Sequence, residues 1–156
     1  MIRYKKMDLH LRPVSTSDCE LLFGWVNEPE VRKNSFSHQM VDLESHKIWF
    51  QKKINEGLPW YILELAGQPS GVIRFDLSEN GFKINFSISA SQRGKGFGKE
   101  IIRLGLSEIT KNPQNSNFVF GLVKKQNIAS AKCFLSNQFL QNDYDQNTYI
   151  FQKKLG

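Results

Sequence analysis

The order of elements in this sequence predicts an α+β chain, with a mixed, mostly antiparallel central sheet flanked by helices. Three observations carry that reading. The local patterns run β-α-α-β-β-β-α-β-α-β, which lacks the regular βαβ alternation of a parallel sheet. Phe82, Ile84, Phe86 and Ile88 alternate strictly with Lys83, Asn85, Ser87 and Ser89, the period of a strand with two unlike faces. A glycine-rich stretch at 93–98 then joins that strand to a helical pattern carrying Ile101, Ile102, Gly105, Leu106 and Ile109 on one side.

The elements follow in order. Residues 8–14 read as a short strand, with Leu9 and Leu11 alternating with polar neighbours. Ser15 and Asp18 have capping-box spacing before a helix that repeats Leu21, Leu22 and Trp25. That helix should stop near Asn27, because Pro29 disfavours helical geometry in the residue before it. Segment 30–41 reads as a loop. A second helix runs from the N-cap Asp42 to Gly57, with Leu43, His46, Phe50 and Ile54 as its stripe. Strands 60–66 and 71–77 flank a turn at 67–70, and Asn80-Gly81 turns the chain into strand 82–89. The helix after the glycine loop ends before Pro113. The apolar run 118–123 suits a buried strand. Asn127 caps a helix through about Asn137, residues 142–145 read as a turn, and a last strand runs from Thr148 to about Lys153.

Composition bounds the possibilities. A chain of 156 residues fits one domain spanning 1–156. No apolar run reaches the ~18–20 residues of a membrane span, so no membrane partner is expected. The opening stretch 1–6 is basic but leads into no apolar segment, so no secretory leader is expected. Cys19 and Cys133 form neither a disulfide framework nor a metal-binding pair, which fits a reducing cytoplasm and no metal. A net charge of +6 favours anionic partners, or serves solubility alone. The aromatic residues fall in periodic core positions rather than in a basic stretch, so nucleic acid is not expected as a partner.

The segment from Ser89 to Lys99 is the most informative. Glycines at 94, 96 and 98 allow close backbone approach, and the amides of a helix start sit at the positive end of its dipole. Such a start is a ready anion site. Arg93, Lys95 and Lys99 add charge at the same place, and together they describe a pyrophosphate cradle. The spacing fits neither a P-loop nor a dinucleotide-binding glycine fingerprint.

Arg93-Gly94-Lys95-Gly96-Phe97-Gly98 resembles the acetyl-coenzyme A signature Q/R-x-x-G-x-G/A of the GNAT superfamily of N-acetyltransferases, in its strand–loop–helix setting. Residues 127–139 resemble that family's N-x-x-A/S-x-x-x-Y/F-x-x-x-G-F helix, with Gln138 where the family usually has glycine. Leu22 to Arg32 and His46-x-x-Trp49-Phe50 resemble acetyltransferases acting on amino-sugar nucleotides, nearest to those of the pseudaminic-acid pathway. Val26 stands where related sequences often have arginine.

The resemblance implies a GNAT fold, acetyl-coenzyme A as cofactor, and a small-molecule amine as substrate, with a UDP-linked 4-amino-4,6-dideoxy sugar as the expected acceptor. Transfer would be direct within a ternary complex. It further implies that Phe86, Ser87 and Ile88 line the pantetheine arm, with the Ile88 amide polarising the thioester carbonyl. Gly94, Lys95, Gly96, Phe97, Gly98 and Lys99, with Arg93, would hold the pyrophosphate. Asn127 either contacts the pantetheine or caps its own helix, and Lys132 either reaches a phosphate or is simply solvated. Trp25, Asn27, Arg32 and His46 become candidates for the amine-substrate side. Arg32 either meets a diphosphate or pairs with Glu28 or Glu30, and His46 is either a ligand or a packed core histidine.

Many family members carry a tyrosine acid at the position of Phe134 and a glutamate base at that of Leu122, and neither residue here handles protons. Ser87 and Asn85, on the polar face of strand 82–89, could order a water. The resemblance places the loop carrying His38 near the acceptor, and histidine is a residue type suited to act as a base. Tyr144 and Tyr149 are either proton donors or ordinary turn and sheet aromatics. The alternatives are an acetyltransferase for ribosomal-protein N-termini or aminoglycosides, a non-catalytic coenzyme A binder, and a basic nucleic-acid-binding module. Homodimerisation through an exposed carboxy-terminal strand is a further expectation.

Overall fold

A computed structural model describes residues 8–111 and 117–155; the basic stretch 1–6 and the helix-stopping Pro113 lie outside them. Seven strands form one sheet: β1 (Leu9–Pro13), β2 (Trp60–Leu65), β3 (Gln68–Ser78), β4 (Gly81–Ile88), β5 (Phe118–Lys124), β6 (Leu140–Asp143) and β7 (Thr148–Lys154). Their spatial order is β1-β2-β3-β4-β5-β7-β6. Among the described residues β4 and β5 run parallel, and every other neighbouring pair is antiparallel. The expected mixed, mostly antiparallel sheet is what forms.

Alternation gives the sheet two unlike faces. Leu63, Ile73, Phe75, Phe82 and Ile84 pack against Ile101, Ile102, Leu106 and Ile109 of helix α4 (Phe97–Lys111) in the larger core. The second face carries Trp60 and Ile62, which pack with Leu22 of α1 (Cys19–Val26) and Phe50 of α3 (Leu43–Glu56). Helix α3 starts and stops as the sequence reads: the Asp42 carboxylate accepts from the Ser45 amide, and Gly57 closes it at φ 67°. Asn127 likewise caps α5 (Ile128–Leu135), its side chain accepting from the Ser130 amide.

Four local expectations need correction. Segment 30–41 is not all loop: α2 (Pro29–Asn34) occupies its start, because Pro29 suits the first helical position while Glu28 stays extended and caps it. The turn at 67–70 is tighter than expected. Ala66 and Gly67 both take positive φ, so the hairpin closes in two residues and β3 begins at Gln68. Pro69 is accommodated beside a register shift opposite Leu63 and Glu64, as a strand proline requires. Finally, the expected turn at 142–145 begins as strand β6, fully exposed at the sheet edge, so the carboxy-terminal strand β7 is covered on both sides.

Candidate active site

Strands β4 and β5 begin as neighbours and then part. Their register holds only at Phe82–Val119 and Lys83–Phe120. Beyond that point β4 has β3 on one side and a gap on the other. The Ser89 amide donates to the Ser70 carbonyl at 2.9 Å, so alternation turns the main-chain groups of Ser87 and Asn85 toward β3 and those of Phe86 and Ile88 toward the gap. A cleft of about 1390 Å³ opens there, lined by Asn85, Phe86, Ser87 and Ile88 on one side and by Leu122, Val123 and Asn127 on the other.

The glycine loop borders this cleft. Gly94 and Gly96 hold φ of 75° and 86°, and a side chain at either would meet open space. Positive φ is what demands glycine at these two positions. Gly98 is different: a Cβ there would sit 2.5 Å from Cys133 Sγ, so this glycine lets α4 and α5 approach one another. The Gly96 carbonyl accepts from the Glu100 amide, which places the first turn of α4, with its dipole's positive end, at the cleft wall. Burial pushes the Cys133 thiol up.

The loop's cations are not equivalent. Arg93 gives Nη1 and Nη2 to the two Glu28 carboxylate oxygens at 3.1 and 2.6 Å, and Nε to the Ile88 carbonyl at 3.1 Å. Its donors are therefore committed within the protein. Lys95 donates to the Gln92 side chain at 3.2 Å. Lys99 and Lys132 line the cleft, and Phe97 borders it beside them. Asn127 caps α5, its Oδ1 accepting from the Ser130 amide at 3.2 Å and its Nδ2 donating to Ser130 Oγ at 3.1 Å, and it lines the cleft.

The other half of the cleft lies under α1 to α3, where Trp25, Trp49 and Trp60 form much of the wall. Trp60, Arg74 and Asn85 stand in one cross-strand row of β2, β3 and β4. Asp76 gathers this region: it accepts from Lys53 Nζ at 3.1 Å, from Arg74 Nε at 3.0 and 3.1 Å, and from Asn85 Nδ2 at 3.1 Å. Burial favours the neutral acid, but Arg74 and Lys53 outweigh it and hold the Asp76 carboxyl below its ordinary range. An ionised carboxylate only accepts, so the Asn85 amide is turned with nitrogen to Asp76, leaving Oδ1 as its remaining polar atom.

The structure distributes the other sequence candidates unevenly. His46 is buried, donates from Nε2 to the Cys19 carbonyl at 2.9 Å, and packs on Phe23, Trp49 and Phe50, as a core histidine does. Asn27 clasps Val41 through both side-chain atoms. Arg32 pairs with neither Glu28 nor Glu30; it holds the carbonyls of Val26, Ser37 and Gln39. His38 does not line the cleft, and its Nε2 stands 2.7 Å from Lys124 Nζ. Phe134 is buried, stacked on Phe151 and edge-on to Phe86. Tyr149 packs edge-on against Phe151, and Tyr144 is exposed in the β6–β7 turn. Among the described residues no group of three or more His, Cys, Asp or Glu is placed to hold a metal.

Arg74, Asp76 and Lys53 escaped the sequence reading, and Glu28 entered it only as a partner for Arg32. A signal existed for two of them. Arg74 and Asp76 sit two apart in an otherwise apolar strand, so they share one face, and that face is the one Asn85 and Ser87 occupy on β4.

A family model described as an acetyltransferase (GNAT) domain matches residues 8–139. No curated protein matches the chain. Solved structures are similar in fold. One is aminoglycoside acetyltransferase AAC(6')-Ib with ribostamycin and coenzyme A, at TM-score 0.80, 16% identity, and coverage of 94% of this chain and 93% of that one. Another is the ribosomal-protein acetyltransferase RimL with coenzyme A, at TM-score 0.80 and 15% identity over 99% and 97%. A third is a ribosomal-protein-alanine N-acetyltransferase from Brucella melitensis, at TM-score 0.77 and 19% identity over 93% and 99%.

Proposed function

The chain belongs to the acetyltransferase (GNAT) domain family and is an acetyl-coenzyme A-dependent N-acetyltransferase; from that premise we propose that it acetylates the primary amine of a small anionic molecule, an amino sugar carried on a nucleoside diphosphate. The best-matching form is a UDP-linked 4-amino-4,6-dideoxy sugar, in line with the resemblance of segment 22–32 and of His46, Trp49 and Phe50 to the pseudaminic-acid pathway enzymes. The observation that carries this reading is charge. Among the described residues lining the cleft, Glu30 is the one acid, against Arg32, Lys33, Lys99 and Lys132, with Arg93 and Arg74 further paired to Glu28 and Asp76 behind the lining. A polycationic aminoglycoside would find little to pair with in such a cleft, and an anion finds attraction along its length.

The described residues fit the cofactor. Gly94 and Gly96 leave open space beside the first turn of α4, and Lys99 and Lys132 flank it. These groups would hold the pyrophosphate, with Phe97 and Gly98 setting the helix start, Lys95 adding long-range charge, and Arg93, paired with Glu28, fixing the loop that carries them. Phe86, Ser87, Ile88 and Asn127 would border the pantetheine arm. Bound acetyl-coenzyme A supplies an acyl thioester, activated for attack by an amine.

The chain's own part is to orient and to polarise. The Ile88 amide, turned toward the gap, donates to developing negative charge on a carbonyl oxygen. Asn85 Oδ1 accepts one hydrogen from the incoming amine, which aims the nitrogen lone pair away from β3 and into the gap. Ser87, next on the same face, would order a water that takes the amine's surplus proton as the N–C bond forms and the C–S bond breaks, and solvent returns a proton to the leaving thiolate. Phe134 and Leu122 handle no proton, so positioning carries most of the rate. Positioning is worth up to ~7–11 kcal/mol, against the ~10²–10⁴-fold of general acid–base help.

The test is a thiol-release screen of the full chain with acetyl-coenzyme A and three classes of amine: UDP-linked amino sugars, peptides with free N-termini, and aminoglycosides. Turnover highest on the sugar nucleotides is expected. Turnover confined to peptides or aminoglycosides would overturn the substrate assignment, and coenzyme A binding without turnover on any class would make the chain a non-catalytic binder.

A further inference from the structure

Arg74 is held in an unusual way for a residue in a strand centre. Its Nε donates to both oxygens of Asp76, and its guanidinium carbon lies 5.1 Å from the centre of the Trp49 ring. These two contacts fix the plane of the group. They use only one of its three nitrogens. Nη1 and Nη2 have no partner among the described residues, while the residue itself lines the cleft. Asp76 does not cancel Arg74 alone, because the same carboxylate also serves Lys53 and Asn85.

A second observation points the same way. Trp60 is Arg74's direct partner across β2 and β3, lines the same cleft, and buries its indole Nε1–H with no acceptor. A buried donor without a partner costs about 1–3 kcal/mol, so natural sites rarely keep one without a reason. Two neighbouring side chains thus carry donors with no partner among the described residues.

We propose that Arg74 is the oxyanion contact of the amine substrate: its η nitrogens take a phosphate or carboxylate group in the half of the cleft under α1 and α3, on the sheet face opposite α4. The planar guanidinium fork matches either oxyanion with two parallel hydrogen bonds. Asp76 is the positioning residue that aims this fork, and the same carboxylate turns the Asn85 amide, so one acid sets both contacts. The inference rests on the acetyltransferase reading and deepens it by assigning the residue that selects anionic substrates.

The experiment uses the full chain saturated with coenzyme A, so that the glycine loop is already filled. UDP and, in a separate arm, succinate are titrated into this complex by calorimetry. Wild type is expected to bind one of them. Arg74→Gln should weaken that binding about tenfold or more, the loss of a charged two-pronged contact, with coenzyme A affinity unchanged. Loss confined to UDP identifies a phosphate ligand, and loss confined to succinate a carboxylate. Asp76→Asn should weaken the same ligand several-fold while coenzyme A still binds; a merely structural part for Asp76 would lower thermal stability and leave that affinity in place. Should Arg74→Gln fail to fold, Arg74→Lys keeps the charge beside Asp76 and should still weaken the ligand by about threefold or more.

Affinity unchanged in the Arg74 variants, or no binding of either ligand by wild type, overturns the proposal. Failure of wild type to bind coenzyme A at all instead overturns the acetyltransferase reading beneath it.

Discussion

Arg93 and Glu28 form a two-pronged ion pair, Nη1 to Oε1 at 3.1 Å and Nη2 to Oε2 at 2.6 Å, between residues 65 positions apart. Arg93 opens the glycine loop, and Glu28 caps α2 through the Val31 amide. The pair therefore ties the loop bordering one half of the cleft to the helix bordering the other. Glu28→Gln should cost about 1 kcal/mol, since partly exposed ion pairs are screened and only two-pronged geometry lifts this one above the ordinary range. That corresponds to a fall in Tm of about 2–4 °C by circular dichroism. An unchanged Tm would show that the two halves are held together by other contacts.

Acid should destabilise the chain through particular carboxylates. Asp18 receives Nη1 and Nη2 of Arg12 at 2.8 and 2.9 Å and the Ser15 amide at 2.8 Å, and Arg12 holds its carboxyl below the usual range. Glu28 is lowered by Arg93, and Asp76 by Arg74 and Lys53 against the opposing effect of burial. In each case the folded value lies below the unfolded one. The stabilisation is then fully present above ~4, the ordinary carboxylate value, and is lost as pH falls through the folded value. Urea unfolding between pH 7 and pH 3 should show stability falling in the acid limb. Asp18→Asn should be less stable than wild type at pH 7 and show a shallower decline; a decline as steep as wild type would remove Asp18 from the account.

Gly98 and Cys133 should couple. Gly98→Ala places a methyl 2.5 Å from Cys133 Sγ, and overpacking of this kind typically costs ~1–3 kcal/mol. Cys133→Ala removes the sulfur and leaves its Cβ 3.8 Å away, an ordinary contact. The double variant should therefore recover most of what Gly98→Ala loses. A double-mutant cycle in urea that gives simple additivity would mean that α4 and α5 shift apart instead.

Gln138 sits at φ 61°, in the left-handed region, just past the end of α5. A side chain there costs ~1–2 kcal/mol, partly offset by the ~0.5–1 kcal/mol of chain entropy that glycine forfeits on folding. Gln138→Gly should raise stability by up to about 1 kcal/mol in urea unfolding. A loss would show that the Gln138 side chain, which donates weakly to the Ser136 carbonyl, contributes more than its strained backbone costs.

Much of the fold was legible because its signals are short-ranged. Asp42 and Gly57 bracket α3, Asn127 caps α5, and Phe82 to Ile88 alternate, each decided by residues within a turn or two of one another. The misses are also local, but ambiguous: Pro29 both ends one helix and begins another, and Ala66 takes a positive φ that its type does not advertise. At the site, the loop's glycines were legible as a group but not their separate duties. Gly94 and Gly96 answer to their own φ, while Gly98 answers to a cysteine 35 positions later in the chain, at 133.

By itself the sequence determined the α+β class, the strand–loop–helix that carries the glycines, and the excess of positive charge, because propensity, period and capping act between near neighbours. Only the tertiary structure decided which charges remain available in the cleft. Arg93 follows one strand and Arg74 sits within another, and Arg93 is committed to Glu28 and Ile88 whereas Arg74 keeps two nitrogens without a partner among the described residues after meeting Asp76. That difference depends on which distant carboxylate the sheet and helices bring within 3 Å or so, a contact set by packing rather than by spacing along the chain.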